Sequence, residues 1–123
     1  MTQIERDETR EERIMMEIIV DAYGPEEQIM GWYYYLDDTM RFPFKAQCIA
    51  EQRASPLREK EHVEVLGMIP YDNYTTEMLV EIRWQDRTLG VPLAQLEGVD
   101  VDEETQQAIE DWHYWKARGY TFY

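Results

Sequence analysis

The apolar residues of this 123-residue chain change their period twice, and that change limits the folds open to it. Up to Met40 they recur at helical spacing. From Phe44 they alternate, and after Asp102 the helical spacing returns. Helices, then a run of short strands, then a closing helix describe an α+β chain. The length suits one domain, residues 1–123, with no linker or internal repeat.

The period predicts a first helix over roughly Thr2 to Ala22. Its charged first half, to about residue 13, is expected to fray, and its second half carries Met15, Ile18, Ile19 and Ala22 on one face. Gly24 and Pro25 break it. Pro25 suits the first position of a second helix, with Glu26 and Glu27 facing the positive end of the dipole. Ile29, Trp32, Tyr33, Leu36 and Met40 form the stripe of that helix, and Pro43 ends it. Phe44, Ala46, Cys48 and Ala50 then alternate with Lys45, Gln47, Ile49 and Glu51, as in a half-buried strand. Further strands are expected at His62–Ile69, around Met78–Trp84, and at Leu89–Leu93, with a hairpin turn at Gln85–Arg87. Pro92 suits a sheet edge. A tight turn near Leu93–Leu96 suggests a small SH3-like curved antiparallel sheet or barrel of four to five strands, packed by two N-terminal helices and one C-terminal helix. The last helix carries Ala108, Ile109, Trp112 and Trp115 on one face, and Gly119 is its expected stop.

There are 26 Asp plus Glu against 12 Lys plus Arg, for a net charge of −14. Nucleic acid and anionic membranes are therefore not expected partners, since both need a basic face. Cations, a basic protein partner or plain solubility fit better. The lone cysteine, Cys48, excludes an internal disulfide framework and a multi-thiolate metal site. The two histidines, His62 and His113, leave little for a zinc centre. No run of 18 apolar residues spans a membrane, and the charged stretch Glu5–Arg10 is unlike a secretory signal. The expected location is cytoplasmic.

The placement of the acids carries more information than their number. Asp37 and Asp38 fall in the last turn of the second helix, against the negative end of its dipole. Arg41 can offset that charge, which makes the pair a solvated helix end. A bound cation can also offset it, helped by the free carbonyls of the last turn. Glu97, Asp100, Asp102, Glu103 and Glu104 form a second cluster. Asp100 with Glu103 fits a capping box, and Asp102 is an alternative cap. Five carboxylates in eight residues exceed what a cap needs, and hard oxygen ligands on a loop suit calcium. The cluster is not an EF-hand. Counted from Asp100, Thr105 occupies the sixth place, where the sharp turn needs Gly. Asp21, Glu26 and Glu27 read as helix-end acids, and Asp72 as a turn residue.

Catalysis is not expected. There is no Gly-rich phosphate loop, G-x-S-x-G or H-E-x-x-H, and Cys48 lies on the apolar phase of its strand. The two aromatic runs, Trp32–Tyr35 and Trp112–Trp115, read as core.

Several strings are unusual: Ala22-Tyr23-Gly24-Pro25-Glu26-Glu27, Gly31-Trp32-Tyr33-Tyr34-Tyr35-Leu36-Asp37-Asp38, Phe42-Pro43-Phe44, Val63–Met68, Val91–Leu96 and Asp111-Trp112-His113-Tyr114-Trp115. Together they resemble the small acidic calcium-binding proteins known from cyanobacteria and other bacteria. The resemblance implies a calcium-binding protein without an EF-hand that coordinates Ca²⁺ through surface carboxylates, as a cytoplasmic buffer or sensor. The resemblance carries over best to Asp37 and Asp38, which lie inside a matching run; Asp100, Asp102, Glu103 and Glu104 lie outside the firmest matches and are candidate metal ligands from their loop placement. The alternative is an acidic SH3-like module that docks a basic protein. Magnesium fits less well, since it favours few carboxylates and substrate phosphates.

Overall fold

Alternation from Phe44 onward puts one side chain in two on the same face, and the computed structural model uses that face as the floor of its core. It describes residues 6–20, 23–53, 55–70 and 77–118. The strands are β1 (Phe44–Cys48), β2 (His62–Met68), β3 (Leu79–Trp84), β4 (Arg87–Pro92) and β5 (Leu96–Val99). All pairings are antiparallel, in the order β4-β3-β2-β1-β5. The sheet is open, with β4 and β5 at its edges, so of the two expected forms it takes the sheet and not the barrel. Phe44, Ala46, Cys48, Val63, Val65, Val80, Ile82 and Val91 are buried on the inner face.

Of the three helices, α1 (Glu8–Glu17), α2 (Pro25–Thr39) and α3 (Glu103–Ala117), α2 and α3 pack on the sheet and α1 is bonded to α3. Helix α2 packs on β2 and α3, and α3 packs on β5. Trp32, Trp112 and Trp115 meet here, with the Trp32 and Trp112 ring centroids 5.1 Å apart. Both aromatic runs thus supply core, although Tyr34 faces solvent.

The first helix differs from its expected span. It starts where the Asp7 side chain accepts the Arg10 N–H (2.9 Å), and it ends at Glu17, short of residue 22. Of its expected apolar face Ile18 and Ile19 are buried, but Ile14 takes the place expected of Met15. Ile14 is fully buried with Ile18, whereas Met15 is 55% exposed. Gly31 shows why the chain turns close to α2 at that point. A Cβ there would stand 2.5 Å from the Ile18 carbonyl oxygen, so only glycine lets α2 approach this backbone.

In the first strand, Ala50 is exposed and lies beyond β1. The Ile49 backbone N–H donates to the Gln95 carbonyl (2.8 Å), one step beyond the β1–β5 pairing at Cys48–Leu96. Gln85 and Asp86 both have positive φ, so the β3–β4 hairpin needs only two turn residues and Arg87 already pairs with Trp84. Leu93 leaves the strand for a 3-10 turn, Leu93–Gln95, at the expected tight turn. Ala22, Asp21, Asp72 and the stop at Gly119 lie outside the described residues.

Candidate metal centre

The end of α2 is tied to the start of α3. The Arg41 backbone N–H donates to Thr105 Oγ1 (2.9 Å), and the Thr105 hydroxyl donates to Asp102 Oδ1. Asp102 is the N-cap of α3, accepting the Thr105 N–H at 3.3 Å. These bonds from Thr105, with Arg41 nearby, hold the Asp102 carboxyl below its ordinary range. The expected Asp100–Glu103 capping box does not form. Asp100 takes a φ of 56° and turns the chain from β5 toward α3.

This tie answers how the two acid clusters are placed. Asp38 is three residues before Arg41, hence within about 11 Å of it along the chain. Asp37 and Asp38 are both exposed, and α2 has no basic residue in its last turn. Arg41, expected to offset them, points to Asp102 instead, with Nε 3.7 Å from Oδ2. Among the described residues neither Asp37 nor Asp38 forms an ion pair. Burial raises the Tyr33 hydroxyl above its ordinary pKa, and the Asp37 charge adds to that shift.

Four of the five acids of the second cluster are divided between two open clefts, and Glu97 lines neither. Asp100 and Asp102 line one of about 470 Å³, with Glu64 beside Arg41 and Lys45. Glu103 and Glu104 line another of about 210 Å³, with Glu17, Thr39, Tyr35 and Arg13. The second cleft has three acids and one base, and that base is already committed to Asp111. Asp38 follows Tyr35 by three residues and so stands on the same side of α2. Asp37, two past Tyr35, points elsewhere. Among the described residues no three Asp, Glu, His or Cys side chains converge as a metal cluster. The six expected ligands therefore share one end of the molecule without forming one cage. Glu17 and Glu64 join them there; sequence reasoning missed both, because each comes from a distant element.

Asp111 plays a different part. It is fully buried on α3. Arg13 donates to Oδ1, Tyr35 donates to Oδ2 at 2.6 Å, and Arg10 lies 3.5 Å from Oδ1. Burial, and then the Asp111 bond, push the Tyr35 hydroxyl up to about 12. The hydrogen bond to Asp111 likewise raises Arg13. An Asp between the core positions Ala108 and Trp112 was the available signal, since a carboxylate on an apolar stripe needs buried partners.

Hard oxygen donors dominate this end: carboxylates, the Thr39 hydroxyl and the carbonyls of the α2 C-terminus. They suit Ca²⁺ and not a soft metal. Cys48 is buried near Gln95, away from this set. A protein-family model described as calcium binding, the CcbP family, matches residues 12–116. The chain belongs to the CcbP calcium-binding family. Two solved structures share its fold over almost the full length. One is the crystal structure of Anabaena CcbP, 51% identical, with a TM-score of 0.86, covering 99% of this chain and 100% of that one. The other is a calcium-binding protein in its calcium-binding form, 50% identical, with a TM-score of 0.84 and the same coverage. No curated protein sequence matches the chain. CcbP is a calcium-binding family and not an enzyme family.

Proposed function

We propose that this protein binds Ca²⁺ at the junction of α2 and α3 and acts as a calcium buffer in the cytoplasm. Membership of CcbP carries the reading, together with full-length similarity at 50% identity to a protein in its calcium-binding form. The geometry supports the place. Asp38 and Asp37 stand at an uncompensated helix C-terminus, and Glu103 and Glu104 line the neighbouring cleft beside Thr39, the last residue of α2. Asp100 and Asp102 flank the same junction from the sheet side. These carboxylates are exposed, so gathering them around an ion takes side-chain rotation and leaves the helices where they are. Ligands that move without their elements suit rapid uptake and release, which favours a buffer over a sensor.

Calcium titration by calorimetry tests the reading, with magnesium at matched ionic strength as control. Saturable heat with Ca²⁺ and a much weaker response to Mg²⁺ are expected. Equal responses to both ions would mean charge screening without a site.

A further inference from the structure

The calcium reading uses one end of the helical layer and leaves one face of α1 unexplained. Glu8, Glu12, Met15 and Met16 follow the i, i+4, i+7, i+8 spacing and so share one stripe. Met15 is 55% exposed and Met16 65%, among the most exposed large apolar side chains described. They line an open groove of about 610 Å³ with Trp115, Glu8, Glu11 and Glu12. Arg6 also lines it, but its guanidinium faces Glu11 at 3.5 Å, and Glu11 in turn accepts the Tyr114 hydroxyl (2.7 Å). The groove therefore has an apolar strip of methionines and an exposed acidic rim at Glu8 and Glu12.

We propose that this α1 groove docks a basic amphipathic helix of a protein partner, whose apolar face seats on Met15 and Met16 and whose Lys or Arg side chains reach Glu8 and Glu12. Charge complementarity selects the occupant. A second copy of the chain would bring another net charge of −14 to the face, so self-association is opposed. A basic helix is attracted by the same charge. Methionine suits the contact, because its unbranched, polarizable side chain adapts to varied apolar surfaces. The binding mode is an amphipathic helix laid in a groove, read by its apolar anchors. The inference does not depend on calcium.

The probe is a synthetic Lys/Leu amphipathic peptide of about 18 residues, titrated into the intact chain. A scrambled peptide of the same composition and a Glu/Leu amphipathic peptide serve as controls. Methionine methyl NMR reports the place of contact, with Met15→Gln and Met16→Gln assigning the signals. Gln and Met have similar helix propensity, so these exposed substitutions should leave α1 formed. The Lys/Leu peptide should shift the Met15 and Met16 methyls, and the double Met→Gln variant should weaken binding about tenfold or more. Glu8→Gln with Glu12→Gln should weaken it only a few fold, about threefold, and reduce its salt dependence. Three results would overturn the proposal. The scrambled peptide could bind as tightly, the two methyls could stay silent while the peptide binds, or the wild type could sediment as a dimer that the Met→Gln variant dissociates. The methyl measurement on the wild type decides even where a variant fails to fold.

Discussion

Asp111 and the Asp37–Asp38 pair are the same kind of side chain put to opposite uses. Asp111 is fully buried and receives Arg13, Tyr35 and Arg10 from two other helices. Asp37 and Asp38 are exposed at a helix end whose last turn has no base. A carboxylate taken out of water must be matched by cations and donors from its own chain. A carboxylate left in water at the wrong end of a dipole keeps its charge unmatched and available. The first arrangement fastens α1 to α2 and α3. The second leaves a charge that an ion can meet. Counting acids does not separate these uses; counting each acid's partners does.

The largest effect should come from breaking the buried set. Arg13→Met leaves Asp111 with Tyr35 and a more distant Arg10. The cost should be about 3 kcal/mol, at the low end for a broken buried pair because Arg13 keeps part of its side chain in solvent. Urea unfolding measures it. Arg13 also lines the cleft of Glu17, Glu103 and Glu104, so the folded variant, with one positive charge fewer there, should bind calcium at least as tightly as wild type, and a matched loss of calcium binding would erase the distinction between the two sets.

Calcium should then stabilise the folded chain by about 2.7 kcal/mol at a hundredfold excess over its dissociation constant. That raises the melting temperature by several degrees, at about 2–8 °C per kcal/mol for domains near this size. Sodium at equal ionic strength should not.

A smaller effect is expected at Asp102, which works on both sides of the comparison. It caps α3 through Thr105 and it lines a cleft of the junction. Asp102→Ala should lower the melting temperature less than Arg13→Met and weaken calcium binding less than loss of Asp37 and Asp38. A melt and a titration on one sample test both statements.

The smallest effect sharpens the buried side through pH. Burial lowers His113 from its ordinary value of 6.5, partly opposed by hydrogen bonds to Leu93 and Leu96. The unfolded chain therefore takes up the proton first as pH falls. Stability should be fully present above 6.5 and decline as pH drops from there toward the folded pKa. His113→Gln should flatten that slope in melts taken across the window.

Much of the fold was legible because its signals are local. The change of period at Phe44, the stripe Ile29–Trp32–Leu36–Met40 and the turn after Pro92 need only neighbours a few residues away. The burial of Ile18 and Ile19 was legible too, but the choice of Ile14 over Met15 in α1 was not. Ile14 and Met15 are adjacent, and each stands four residues before a buried isoleucine, Ile18 or Ile19. Distant contacts choose between them: the Glu11–Tyr114 bond and the close approach at Gly31 turn Ile14 inward. The role of Asp111 was hidden for the same reason, since Arg13 is 98 residues away and Tyr35 is 76. At the junction, the acids themselves were readable from sequence. Their division was not, because it follows from Asp102 taking the cap and Asp100 taking the left-handed turn. Glu17 enters only through the docking of α1 beside Thr39 and Glu103.

The most direct measurement compares calcium isotherms of the wild type and the Asp37→Asn, Asp38→Asn double variant. Both positions are exposed, and removing self-repelling charge from a helix C-terminus should leave the ion-free fold intact or slightly more stable. The account predicts that the tightest calcium isotherm disappears while the melting temperature without calcium does not fall. An unchanged isotherm in the double variant would contradict it and place the ion on the Asp100–Glu104 acids alone.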